Sequence, residues 1–292
     1  MAVRVLPDLT PERVEDLLDS LLANADALLT SAVAVLDLGH VALGRSLALL
    51  GLEESGKAIA VHERRIQMAF APEGELFRCT WLDELWASHQ KKLEKVHAFL
   101  VEERYWFGIE PADPVQNAAS LGAVRAWSRR HDRSKQRGFY VDLGKTGNIL
   151  APTDLSVEGP LREVIAHVHQ IGWQLRLGEH IEGQRQDERE AGSPPLTDEA
   201  LGRMNGSHAT RLPPESQRIV LELIESMKKG TPGEPLNNTA YRFNRPGKDR
   251  GSFVNLGKPG YEAETRELLR MADELERNAE SGGIAFPDAS ED

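Results

Sequence analysis

The feature that most constrains this chain is a series of long segments whose apolar residues recur every three or four positions, the period of a helix with one buried face. Thr10-Pro11-Glu12 opens the first, since threonine can cap free amides, proline fits the first turn and an early acid suits the helix dipole. Val14, Leu17, Leu18, Leu21, Leu22, Ala25, Leu28 and Leu29 then mark one face. A second helix is predicted over about 31–67, apolar nearly all round between Val41 and Leu52, with Gly39, Gly44, Gly51 and Gly56 letting neighbouring backbones approach. A third is predicted from about Leu82 to Tyr105, and a fourth from near Pro160, carrying Leu161, Val164, Ile165, Val168, Ile171 and Leu175. Between them, Phe139-Tyr140-Val141 and Asn148-Ile149-Leu150 flank a Gly-Lys-Thr-Gly turn and read as a small hairpin. Four long helices with a hairpin before the last predict an all-α helical bundle.

The domain reading follows from where this pattern stops. The bundle occupies 1–185, a polar linker 186–196, a smaller helical C-terminal region 197–280 and a disordered tail 281–292. In the C-terminal region, helices around Pro214–Lys229 and Tyr261–Asn278 enclose a long basic loop. A chain of 292 residues that is 40% hydrophobic can build a proper core, which excludes collagen-like and wholly disordered classes. The 35 basic and 46 acidic side chains leave a formal charge of −11, so the chain wears no overall basic coat. Cys79 is alone, which excludes an internal disulfide and a cysteine-built zinc site. Acids follow the N-terminus too soon for a signal peptide, and Val41–Leu52 is too short to span a bilayer. The expectation is a cytoplasmic protein without a membrane partner.

Polar chemistry on the apolar stripes nominates a site. Glu54 lies on the line Leu43, Leu47, Leu50, Ala58, Val61, with Glu53 beside it and Lys57 within reach of either carboxylate. His89 lies on the line Leu82, Leu85, Trp86, Leu93, Val96, with Lys92 one turn on. Buried unpaired charges cost several kcal/mol, so these groups should meet in a polar network. Two readings stay open: a structural network that fixes helix register, or a site where perturbed titratable groups do chemistry.

A second feature is a basic run in an acidic chain: Arg125, Arg129, Arg130, Arg133, Lys135, Arg137 and Lys145 against Asp132 and Asp142, with Trp127, Phe139 and Tyr140 interleaved. It reads either as a solvated face or as a surface that holds RNA or another polyanion through phosphates and stacking. Tyr241 to Lys258 is a second basic, aromatic-spaced loop, read as a mobile connection or a contact surface.

Three stretches in order, Leu52-Glu53-Glu54-Ser55-Gly56-Lys57-Ala58, His89-Gln90-Lys91-Lys92 and Lys135-Gln136-Arg137-Gly138-Phe139-Tyr140-Val141-Asp142 followed by Pro152, resemble the AbiV family of bacterial abortive-infection proteins. The resemblance covers roughly Ala25 to Gly183 and implies a HEPN-like helical bundle, a superfamily many of whose members are metal-independent endoribonucleases acting as dimers. It nominates Glu53, Glu54, Lys57, His89, Lys92, Tyr140 and Asp142. His89 would do acid-base work, Lys57 and Lys92 would pair with phosphate or carboxylate, and Glu54 and Asp142 would orient them.

The ribonuclease signature of that superfamily is an arginine followed after four to six residues by a histidine, the one steadying a phosphate and the other moving protons. Arg162 with His167 fits, as does Arg162 with His169; at 100° per residue the first pair projects about 140° apart and the second about 20°. Glu163 stands where asparagine or aspartate is more familiar after the arginine. Gly144-Lys145-Thr146 lacks the preceding glycine and following helix of a phosphate loop, and His167 and His169 lack a carboxylate partner, so no metal and no cofactor is expected. Two functions follow: a dimeric, metal-independent endoribonuclease that halts translation on infection, with RNA as substrate and a phage-encoded activator, or a non-catalytic module that binds a phage protein and blocks translation through the complex.

Overall fold

The computed structural model describes residues 5–105, 112–152, 159–195, 197, 228–244, 255 and 257–260. Seven helices occur among them: α1 Pro11–Asp37, α2 Val41–Phe70, α3 Thr80–Ala87, α4 His89–Glu102, α5 Pro114–Leu121, α6 Val124–Phe139 and α7 Gly159–Ala191. The hairpin is β1 Asp142–Leu143 paired antiparallel with β2 Ile149–Leu150, and it precedes α7. The fold is therefore the expected all-α bundle with a small hairpin before its last helix.

The contacts divide the described residues into two units, one drawn from Met1–Arg65, Leu76–Gly178 and Ser252–Asp292, the other from Ile66–Glu75 and Glu179–Gly251. In the first unit, α1 buries Val14, Leu18, Leu21, Leu22, Ala25, Leu29 and Ala32. By length and composition alone α1 could also cross a membrane. It runs antiparallel to α2: a Cβ on Gly51 would stand 3.3 Å from the Ala25 carbonyl oxygen, and one on Gly44 3.0 Å from that of Ala32. Arg176 of α7, 1% exposed, reaches Asp19 of α1 at 2.6 Å, so the last helix is tied to the first by a buried guanidinium. Helix α4 packs against α3, α5 and α6.

Three local expectations are corrected. The first helix does not yield to the second near residue 31; α1 continues to Asp37 and stops where Gly39 adopts φ +83, its N–H donating to Leu36 O and that of His40 to Val35 O. The predicted 82–105 helix is two helices, because Ser88 is extended (φ −128, ψ 116) and its hydroxyl caps the amide of Lys91 at 3.2 Å. Most of the basic run is helix, α6, which periodicity of apolar residues alone could not reveal since its buried face is Trp127, Ser128, His131, Lys135 and Gly138.

In the second unit the linker expected from residue 186 begins instead as helix, since α7 continues to Ala191. Its polar side chains are engaged by a returning segment. Gln186 accepts from the amide of Phe243 at 3.0 Å, Glu190 from that of Leu236 at 3.3 Å, and Arg242 pairs with Asp187 and Glu190. Of the loop expected to be mobile, the described stretch 231–244 is thus held by hydrogen bonds. Lys228 and Lys229 are helical; the rest of the helix predicted to end there, the helix predicted at 261–278 and the tail lie outside the described residues.

Candidate functional site

Glu53 is the hub. It sits mid-way along α2 with its side chain only 5% exposed, and each carboxylate oxygen has one partner. Oε1 takes the Lys135 ammonium of α6, itself 5% exposed, and Oε2 takes Nδ1 of His89 at 2.5 Å. Facing a carboxylate, Nδ1 must carry a proton, and the Nε2 edge of the ring has no partner among the described residues. The His89 side chain is 56% exposed, so that edge is open to a ligand.

Backbone packing brings these groups together. A Cβ on Gly56 would lie 2.5 Å from the Lys92 carbonyl oxygen, so α2 and α4 touch through backbone one turn from Glu53. A Cβ on Gly138 would lie 2.3 Å from the Ala42 carbonyl oxygen, and Ser46 Oγ donates to Lys135 O at 2.9 Å, so α6 is equally close to α2. The break at Ser88 makes His89 the first residue of α4, which turns its ring out of the helix line that periodicity had assigned to the core.

Beside the hub, Glu54 pairs with Lys57 at 2.5 Å, and the Lys57 ammonium lies 5.8 Å from the centre of the Trp86 ring. Lys92 is 8% exposed and, among the described residues, makes no ion pair or hydrogen bond through its ammonium. Burial pushes its pKa down, Glu53 and Glu54 pull it up, and Lys57 and Lys135 push it down further. With Asp132 3.5 Å from Lys135, three carboxylates and three ammonium groups gather here, and Lys92 is the ammonium that makes no ion pair among the described residues.

The expected site residues separate into four places. Glu53, Glu54, Lys57, His89 and Lys92 are gathered in this cluster. Lys135, read as part of a basic run, leaves that run and joins the cluster as a buried counter-ion. Sequence reading missed it because a lysine among arginines looks like surface; the buried spacing Trp127, His131, Lys135, Gly138 was the available signal. Tyr140 and Asp142 stand apart: Tyr140 is 64% exposed, and Asp142 Oδ1 accepts the amide of its neighbour Leu143 at 2.8 Å.

Arg162, His167 and His169 lie on α7. Arg162 is exposed, His167 and His169 are half-buried, and no described contact joins Arg162 or His167 to Glu53 or His89. His167 belongs instead to a second histidine neighbourhood. His131 stacks on Trp127 at 4.0 Å and donates from Nδ1 to the Trp127 carbonyl at 2.9 Å, and His97 meets the edge of the same indole. Burial pushes His131 down to about 4, opposed by the Trp127 carbonyl and Glu163 and assisted by Arg130 and His167. Burial lowers His167 as well, with Glu163 opposing.

Arg129, Arg130, Arg133 and Arg137 occupy the outer face of α6, around a hollow also lined by Ala126 and Ser134. Among the described residues, no group of three or more His, Cys, Asp or Glu side chains gathers to hold a metal ion.

A family model described as AbiV, of the HEPN type, matches residues 13–173, more than half of the chain and every member of the Glu53 cluster. No curated protein and no solved structure matches the chain.

Proposed function

This chain belongs to the AbiV family of HEPN-type abortive-infection proteins, and we propose that it is an effector that cuts RNA without a metal when a phage-encoded trigger appears, acting as a homodimer in the cytoplasm. The observation that carries this reading is the Glu53–His89 pair, in which a buried carboxylate holds Nδ1 and an exposed ring edge presents Nε2. That is the arrangement of an oriented acid-base histidine. Nε2 takes the proton of an RNA 2′-hydroxyl, O2′ attacks the adjacent phosphorus, and the 5′-oxygen leaves. The products are a 2′,3′-cyclic phosphate and a 5′-hydroxyl. Lys92, which makes no ion pair among the described residues, offsets charge growing on the phosphoryl oxygens, and its lowered pKa suits it to protonate the leaving oxygen. Lys135 pairs with Glu53 in the interior without itself meeting RNA.

A second reading, a non-catalytic module that binds a phage protein and blocks translation, is favoured by the hairpin. Val141, Leu143 and Ile149 are all more than 60% exposed there, an apolar surface suited to a protein partner.

One experiment separates the two. The full chain is incubated with total cellular RNA and a chelator, with and without lysate of phage-infected cells. Cleavage should survive the chelator, fall by roughly 10²–10⁴ in His89→Ala, and persist in the Arg162→Ala/His169→Ala double variant. Cleavage lost in the double variant but kept in His89→Ala would move the site to α7. Intact RNA with both lysates would overturn the nuclease and leave the binding module.

A further inference from the structure

The outer face of α6 carries charge that the fold does not use. Arg129, Arg130, Arg133 and Arg137 make no ion pair among the described residues, although the chain has a formal charge of −11. An acidic protein with carboxylates to spare has left four guanidinium groups side by side without one. The single acid within this stretch of α6, Asp132, leans the other way, 3.5 Å from Lys135. Uncompensated like charges at one-turn spacing repel and disfavour the free helix, and of the four only Arg137, in the last turn of α6, is favoured by the helix dipole.

Its geometry has a direction. Arg129, Arg133 and Arg137 follow one another in steps of four, a rise of about 6 Å per step, comparable to the spacing of successive phosphates along an extended nucleic-acid strand. Arg130 flanks the row across the hollow, with Ala126 and Ser134 forming a floor too small to block a backbone. At the C-terminal end of the row the chain presents Phe139, 37% exposed, and Tyr140, 64% exposed, their ring centres 6.2 Å apart. Planar guanidinium groups that bind phosphate oxygens in a fork, ending in exposed aromatic rings on which bases can stack, are what a single strand requires. A compact anion would engage only part of a row that runs about 12 Å from Arg129 to Arg137.

We propose that this face is a separate docking track for the sugar-phosphate backbone of single-stranded RNA, with Tyr140 and Phe139 stacking bases at its end. It deepens the nuclease reading, on which its role as a substrate grip rests, while the binding itself does not depend on cleavage. On the helix wheel the four arginines project about 120 to 160° from Lys135, the residue that reaches Glu53. The track is therefore on the opposite side of α6 from the Glu53–His89 pair, and it holds RNA away from the reacting bond.

The test uses the full chain and a labelled 2′-O-methyl oligoribonucleotide of about 15 nucleotides, which lacks the hydroxyl that cleavage needs, so binding is read whether or not the protein is a nuclease. Fluorescence anisotropy is followed across a salt series for wild type, for R129Q/R133Q/R137Q, and for a charge-matched control, R13Q/R78Q/K229Q, all on exposed positions. The track variant should bind about tenfold more weakly at low salt, with the slope of log K against log salt smaller by about 2, three phosphate contacts at roughly 0.7 each. Tyr140→Ala should weaken binding without changing that slope. The proposal is overturned if wild type does not bind, if the control loses as much as the track variant, or if polyglutamate competes as well as unlabelled RNA, which would mark the face as a general site for acidic partners. Failure of His89→Ala to abolish cleavage would sink the nuclease reading and leave these binding results standing.

Discussion

Two histidines one helix apart show how burial and partner decide what an imidazole can do. His89 stands at the start of α4 with its ring more than half exposed and one nitrogen held by a buried carboxylate. His131 lies in mid-helix on α6, 6% exposed, stacked on Trp127 and bonded to that residue's own carbonyl. The first presents a ring edge to solvent. The second is held neutral by desolvation and offers packing. What separates them is the charge supplied nearby: Glu53 beside His89 is made tolerable in the interior by Lys135, whereas the His131 neighbourhood has only the more distant Glu163.

The largest effect should come from removing that counter-charge. Lys135→Met leaves Glu53 buried with the histidine alone, and breaking a buried ion pair on one side costs about 3–5 kcal/mol. Urea denaturation should show this loss, with most of it recovered in Glu53→Gln/Lys135→Met, where no charge is stranded. His131→Phe, which keeps the stack on Trp127, should cost less than about 1.5 kcal/mol. If His131→Phe were the more damaging change, the contrast between a charge-built and a packing-built site would collapse.

The next effect is read with pH. His131 has a folded pKa of about 4 against an ordinary value near 6.5, so between these values the unfolded chain binds more protons than the folded one. Its contribution is intact above about pH 6.5 and is lost as pH falls toward 4, a change on the order of 3 kcal/mol. His167, also lowered by burial, acts in the same direction. Wild type should therefore lose more stability than His131→Phe on acidification through this window. Parallel curves for the two proteins would mean that the ring is charged, or wet, in the folded state.

How far such sites can be read in advance differs between them. The helices, their apolar faces and the hairpin follow from periodicity and turn residues, and Glu53, Glu54, Lys57, His89 and Lys92 announced themselves as polar residues on apolar lines. Lys135 did not, because its partner is 82 residues away and nothing local distinguishes it from the arginines around it. Helix α6 stayed hidden for a related reason: its interior face is built from Trp, Ser, His, Lys and Gly, so burial there does not coincide with hydrophobicity. The break at Ser88 was masked by an apolar line that happens to continue in register across it, and the pinning of 231–244 depends on side chains of α7 that look solvated in sequence.

That break offers the smallest and most local test. Ser88 is extended and its hydroxyl accepts the Lys91 amide, which starts α4 afresh and places His89 at its first position. Ser88→Ala removes the cap at a cost of about 1 kcal/mol, whereas Ser88→Gly, which keeps a tolerated cap conformation, should cost only a few tenths. Alanine also favours helix at a position that must be extended, so it biases α3 and α4 toward one continuous helix and turns His89 back along the apolar line. If the chain cuts RNA as proposed, cleavage by Ser88→Ala should accordingly fall further than the lost stability explains, through kcat rather than KM, while Ser88→Gly retains most of it. Equal activity in the two variants would mean that Glu53 alone holds the ring, and that the exposed setting of His89 owes nothing to the helix start.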